Sequence, residues 1–195
     1  MKQYASACDQ NKAPILTVIK PLLSSAKSVL EVGSGTGQHC IYFAKQLPQL
    51  IWQASDQAQY LPSVNAWIAQ AQLTNTLKAF ELDVLGSWPN TLYDAVFSAN
   101  TAHIMSQKMV LEFFKGVSAV LPVDGLFILY GPFNYNGQHT SQSNANFDLW
   151  LKQQNPHSAI RDFEVLDALA KQQHLKLIND IEMPANNRIL VWQKV

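Results

Sequence analysis

Three glycines at alternate positions, Gly33, Gly35 and Gly37, follow the apolar run Val29, Leu30 and Val32, which carries one acid, Glu31. The segment behind them opens with Gln38 and His39 and has helical apolar spacing, so the stretch reads as strand, tight turn and helix. Glycine backbones reach positive φ and let a ligand approach where a Cβ would stand, while a helix start offers unpaired N–H groups. Such a turn cradles a nucleotide, and Ser34, Gln38 and His39 belong to the same candidate site. The spacing then separates ligands. A dinucleotide fingerprint needs G-x-G-x-x-G, but here the third glycine falls one place early at Gly37, and Gln38 stands in the fingerprint position.

Carboxylates follow at successive strand ends. Asp56 lies 19 residues beyond Gly37, about the interval at which a second-strand acid reaches the ribose of a nucleotide. A carboxylate suits that task because it accepts two hydrogen bonds from a diol. Asp83 closes the third strand. Beyond the fourth come Asn100 and His103, and the carboxyl ends of strands in an open α/β sheet face the ligand cleft. Both are candidates to line the reaction site. Between Pro132 and Ile160 the chain turns polar and rich in turn formers. Long connections of this kind carry function more often than they carry core, so residues 132–160 are expected to cap the substrate. Tyr130, Asn134, Asn144 and Asp148 are its candidate substrate-binding residues, and His139 or His103 its candidate proton acceptor.

The elements that must position these groups alternate. Residues 13–23 form a helix with Ile15, Leu16, Ile19, Leu22 and Leu23 on one face, Pro14 standing near its start, after the polar lead-in Asp9 to Lys12. Strands are expected at 50–56, 77–84, 93–100 and 126–131, separated by helices at 38–47, 60–73 and from Met109 to Leu121. A short helical stretch is expected at 147–151 and another helix at 163–173. This alternation describes an α/β chain with a mostly parallel sheet and helices on both faces. The last two strands, 175–183 and 188–194, are separated by Pro184 to Asn187 alone, too short a link for parallel pairing, so the final strand enters antiparallel.

An acid two residues before G-x-G-x-G, Asp94-Ala-Val-Phe97 in the fourth strand, the Val120-Leu-Pro122 stop followed by Gly125, and the antiparallel end resemble class I S-adenosylmethionine (SAM)-dependent methyltransferases. The strings Asn11-Lys-Ala-Pro-Ile15, Gly35-Thr-Gly-Gln-His39, Tyr130-Gly-Pro-Phe133, Ser143-Asn-Ala-Asn-Phe-Asp148, Ile160-Arg-Asp162 and Met183-Pro-Ala-Asn-Asn187 narrow this. In order and spacing they resemble the methyltransferase-like family catalogued as domain of unknown function 938, over nearly the whole chain. The sequence departs from that family at Gln10, where a basic residue is expected. The resemblance implies a Rossmann-like class I fold, a seven-stranded mostly parallel sheet with an antiparallel last strand. It implies SAM as cofactor, S-adenosylhomocysteine (SAH) as product, and no metal. It further implies that Glu31 organises the site near the cofactor's amino-acid end, that Asp83 bonds the adenine amino group, and that Val84 packs on the ring.

Length and charge limit the alternatives. The 195 residues fit one domain with a full core, and 14 basic residues balance 14 acidic ones, giving no electrostatic reason to expect nucleic acid or an acidic membrane as partner. The loop Asn100-Thr-Ala-His103 has neither the Asn/Asp-Pro-Pro-aromatic sequence of adenine amino methylases nor the Pro-Cys nucleophile of cytosine C5 methylases. No signal-like or membrane-spanning run is visible, and Cys8 and Cys40 have no C-x-x-C relation, so a cytoplasmic location is expected. The five histidines show no metal-ligand spacing. The expected function is methyl transfer to an O, N or S atom of a small, largely uncharged molecule. Two alternatives stand beside it: a non-catalytic protein that binds SAM or SAH in a structural or sensing role, and a nicotinamide-dependent oxidoreductase, which would need both the glycine spacing and the C-terminal hairpin to mislead.

Overall fold

The computed structural model describes residues 2–195. Seven strands form one sheet in the order β3-β2-β1-β4-β5-β9-β8. They are β1 (Ser28–Val32), β2 (Ile51–Asp56), β3 (Thr76–Glu81), β4 (Ala95–Ala99), β5 (Leu126–Gly131), β8 (Leu175–Met183) and β9 (Asn187–Lys194). The first five run parallel. β9 inserts antiparallel between β5 and β8, as the short link before it requires. The chain moves outward from β1 to β3, then returns to place β4 on the other side of β1. That reversal opens a crevice at the carboxyl ends of β1 and β4, where open α/β sheets take ligands.

Central strands buried on both faces are mostly apolar, broken by the buried polar residues Glu31, Gln53, Ser55 and Ser98. Leu30, Val96, Phe127 and Leu129 face one side, where α4 (Gln107–Ala119) and α6 (Phe163–Gln172) contribute Val110, Phe113, Phe114, Val117 and Leu166. Val29, Ala95, Phe97 and Ile128 face the other, against Ile15 and Ile19 of α1 (Ser6–Leu22), Phe43 of α2 (Gln38–Gln46) and Val64 of α3 (Leu61–Ala71). The fold is thus the Rossmann-like sheet with helices on both faces that the alternation predicts. Among the described residues no helix is long and apolar enough to cross a membrane.

Four features differ from the sequence reading. Helix α1 starts at Ser6, so Asp9 to Lys12 lie inside it and Pro14 falls in its middle, where the missing N–H removes the bond to the Gln10 carbonyl. The short helical stretch at 147–151 is a full helix, α5 (Gln142–Gln154), capped by the Ser141 hydroxyl, which accepts from the Asn144 N–H at 3.1 Å. A second, two-stranded sheet pairs β6 (Phe133–Asn134) with β7 (Arg161–Asp162) and ties the two ends of the cap together. Strand β3 stops at Glu81. Asp83 instead opens a turn, its carboxylate accepting the Leu85 N–H at 2.9 Å and its carbonyl the Gly86 N–H at 2.8 Å.

Candidate functional site

All three glycines of the turn after β1 have positive φ (76°, 56° and 98°), but for different reasons. A Cβ on Gly33 would come within 2.5 Å of Thr101 Cγ2, and one on Gly37 within 2.8 Å of the Val64 backbone. Gly35 would meet nothing within 4 Å, so its backbone faces open space. Gly33 and Gly37 are required by packing, and Gly35 is where a ligand can approach. Its N–H donates to Asp56 Oδ2 at 2.6 Å, while Asp56 Oδ1 accepts from the Gln57 N–H at 2.7 Å. Each oxygen keeps a lone pair for a further donor. Burial raises the Asp56 pKa, which these two N–H groups oppose.

Beneath the turn, Glu31 is almost fully enclosed and accepts from Trp52 Nε1 at 2.8 Å. Burial pushes its pKa up to about 7, and the charge of Asp56 adds to the rise. Two polar atoms here are buried with no partner: Ser34 Oγ and Gln38 Nε2. Unpaired buried polar groups are costly and call for a ligand or water. The Gln38 carbonyl oxygen is engaged, accepting from the Ala5 N–H at 2.6 Å and the Thr36 hydroxyl at 3.0 Å. Further along α2, His39 bonds Asn11 Oδ1 through Nε2 at 2.7 Å and stacks on Phe43. Burial holds it near pKa 4, so the neutral ring fastens α1 to α2 and borders neither of the two cavities that flank the turn.

The smaller of these, about 160 Å³, lies between the carboxyl ends of β1, β2 and β4. Asp56 and Tyr60 border it on one side, Leu82, Val84 and Met105 on another, and Thr101 at its inner end. It is an apolar slot with a carboxylate at its rim, the shape and chemistry of a nucleoside site. Asp83 does not border it, and its Oδ1 is occupied by its own turn.

The larger cavity, about 550 Å³, begins at Asn100, next in sequence to Thr101. Asn100 sits in the left-handed region, φ 59°, a conformation asparagine tolerates better than most residues, and its N–H donates to the Tyr130 carbonyl at 2.9 Å. His103 borders the same cavity. Its ring is buried, lies edge-on to Phe147 at 5.2 Å, and has no hydrogen-bond partner among the described residues. Burial, reinforced by the positive charge of Arg161, lowers its pKa to about 4, so the ring is neutral at pH 7. The Arg161 guanidinium donates to the carbonyls of Ala102, Met105 and His157 and so clamps the loop on either side of His103.

The cap residues divide. Tyr130 and Asn144 border the larger cavity. Asn144 spends both amide protons on Thr140 Oγ1 (2.9 Å) and the Asn186 carbonyl (3.0 Å), leaving Oδ1 as an acceptor. Asn134, His139 and Asp148 border a different cavity of about 590 Å³, between the β6–β7 pair and helices α4 to α6. There Asn134 Oδ1 meets His139 Nδ1 at 2.8 Å. Asp148 accepts from Lys152 Nζ at 2.6 Å and the Ile160 N–H at 2.7 Å, and lies 3.7 Å from His139 Nε2. The two candidate proton acceptors, His103 and His139, are therefore not brought together. The sequence reading missed Pro184, Ala185 and Asn187, which reach the larger cavity from the β8–β9 turn, and Phe147. The string Met183 to Asn187, legible as a family signature, was the signal that this turn has a role beyond reversal.

The same architecture occurs in solved methyltransferase structures. An O-methyltransferase family protein from Burkholderia thailandensis superposes with a TM-score of 0.85 at 15% identity, covering 97% of this chain and 57% of that one. "PigF with SAH" gives 0.81 at 16% identity, covering 95% and 56%. An O-methyltransferase family 2 protein from Planctomyces limnophilus, in complex with apigenin, gives 0.77 at 17%, covering 89% and 51%. The chain spans little more than half the length of these structures, and at such identities the likeness is one of fold. The family model described as "Protein of unknown function (DUF938)" matches residues 2–194, and the chain, with its class I methyltransferase fold, belongs to that family.

Proposed function

We propose that the protein is a SAM-dependent methyltransferase acting on a small molecule. The observation that carries this reading is the glycine turn: open backbone at Gly35, spare lone pairs on Asp56, and two buried polar atoms, Ser34 Oγ and Gln38 Nε2, with no hydrogen-bond partner among the described residues. Adenosine fits the apolar slot, with Asp56 accepting from the ribose hydroxyls and Val84 against the ring. Leu82 and Val84 take the place that the sequence assigns to Asp83. Ser34, Gln38 and the backbone of Gly33 to Gly37 would hold the amino-acid end, giving Ser34 Oγ and Gln38 Nε2 hydrogen-bond partners. Of the sequence candidates, His39 acts by holding α1 down over that end.

When bound, SAM supplies an electrophilic methyl group, and the protein's task is alignment and exclusion of water. Asn100, which borders the larger cavity beside Thr101 of the slot, is the residue that holds the acceptor in line. His103, neutral and unpartnered, accepts the acceptor's proton. Residues 132–160 roof the acceptor through Asn144 and Phe147. The solved relative in complex with apigenin and the neutral walls of the larger cavity both favour a small organic acceptor.

Titration calorimetry with SAM, SAH and NAD tests the cofactor. SAM and SAH are expected to bind and NAD is not, and Asp56→Ala weakens SAH binding by about 10- to 100-fold, the worth of hydrogen bonds to a charged acceptor. Asp56→Asn keeps an amide oxygen that can accept from the Gly35 N–H, so it separates loss of charge from collapse of the turn. No uptake of SAM or SAH by folded protein ends the proposal. Labelled methyl transferred into a metabolite extract separates catalysis from the non-catalytic binding role.

A further inference from the structure

Resting on the methyltransferase reading, we propose that the larger cavity takes a neutral, planar acceptor bearing an acidic hydroxyl, a phenol or an enol, whose proton passes to the ring of His103. Its walls carry no Asp, Glu, Lys or Arg among the described residues. A carboxylate or ammonium placed there would lose its water without gaining a counter-ion, which selects against charged acceptors. Gln10, Asn11, Asn144 and Asn187 instead offer amide dipoles that orient neutral oxygen substituents. The apolar part of the lining is made largely of rings, Pro14, Pro132, Tyr130 and Phe147, which suit the faces and edges of a planar molecule.

The hydroxyl follows from His103. An amine attacks with a lone pair it already has, whereas a hydroxyl becomes a competent nucleophile only as its proton leaves. His103 is the group on this wall able to take a proton, and neither of its ring nitrogens has a hydrogen-bond partner among the described residues. Burial makes it a weak base. A weak base matches a hydroxyl that is itself acidic, in a step concerted with transfer, and does not match an aliphatic alcohol. In that step the oxygen–methyl bond forms, the carbon–sulfur bond of SAM breaks with its electron pair passing to sulfur, and the hydroxyl proton moves to His103 and then to solvent. The products are a methyl ether and SAH.

Four probes of one skeleton test this on protein loaded with SAH: 2-naphthol, 2-naphthoate, 2-naphthylmethylammonium and the saturated alcohol 2-decalol, titrated by ligand-observed NMR. Saturable binding of 2-naphthol at least about ten-fold tighter than each of the others is expected. With SAM in place of SAH, 2-naphthol is expected to yield its methyl ether, and His103→Gln to slow that transfer by about 100-fold or more while SAH and 2-naphthol bind as before. Equal or tighter binding of either ion or of the saturated alcohol, or no saturable binding of 2-naphthol, overturns the acceptor class. Undiminished transfer in His103→Gln overturns the role of the histidine. Absence of SAH uptake is a separate result, which removes the methyltransferase reading beneath both.

Discussion

The two large cavities flanking α5 share that helix and have opposite chemistry. Ser143, Asn144 and Phe147 of its first turns border one, and Asp148 and Lys152, one and two turns beyond Asn144 in the same row, border the other. On the first side the walls are neutral, and functional groups are left over: the His103 ring and Asn144 Oδ1. On the second side most of the titratable groups are engaged within the protein: His139 bonds Asn134, Asp148 accepts from Lys152 and the Ile160 N–H, and Arg161 donates to backbone carbonyls. Charge therefore marks the cavity that holds the cap together. The neutral cavity keeps the unpaired groups that a substrate needs.

The largest test of this contrast is catalytic. His103→Ala is expected to lower kcat by about 10²- to 10⁴-fold, the usual worth of a positioned base, with SAH affinity within about two-fold. His139→Ala, whose ring already bonds Asn134, is expected to leave turnover within about three-fold once folding is matched. Steady-state kinetics on both variants decides it, and the reverse ranking would exchange the roles of the two cavities.

The neutral side also sets a pH dependence. Burial holds His39 and His103 near pKa 4, below the value of about 6.5 they regain on unfolding. As pH falls from about 6.5 towards 4, the unfolded chain takes up protons that the folded chain refuses, and stability is lost. Glu31 opposes this. Its pKa of about 7 lies above its unfolded value, so its contribution is present at low pH and fades as pH rises from about 4.5 to 7. Two groups outweigh one, leaving a net loss of about 2 kcal/mol between about pH 6.5 and 4.5. Urea midpoints at pH 7 and 5 measure it. His39→Gln flattens the profile and Glu31→Gln steepens it, whereas a wild-type profile already flat across that range contradicts the enclosure of both histidines.

Most of the sheet was legible because its signal is redundant: apolar runs in Val29 to Val32 and Phe127 to Leu129, glycines at a strand end, and a link too short for parallel pairing. The glycine turn and Asp56 were legible for the same reason, since backbone geometry and chemistry fall within a few positions of one another. The cap was not. Helix α5 buries Asn144, Asp148 and Leu151, spaced four and three residues apart, so its periodic stripe is mostly polar and invisible to a search for apolar faces. The two-residue strands β6 and β7 carry no pattern of their own, and their partnership spans the whole cap. Nor does spacing along the chain tell which cavity a cap residue faces. Asn144 and Asp148 stand one helical turn apart and border different ones.

The smallest expected effects concern how the charged side holds together. Asp148 is enclosed, and its Oδ1 is the partner of a buried backbone N–H, that of Ile160. Asp148→Ala removes that acceptor and opens a gap beside β7, and should cost about 2 kcal/mol, read as a lower urea midpoint at unchanged slope. Lys152 reaches the same carboxylate from solvent, its side chain half exposed, so Lys152→Ala should cost about 0.5 kcal/mol or less. The inequality is the informative quantity. If the lysine matters as much as the aspartate, the ion pair rather than the Ile160 N–H fastens the cap, and raising salt should then loosen it. If the aspartate alone matters, the cap is held by a buried hydrogen bond that salt does not screen, and the double variant should be no less stable than Asp148→Ala.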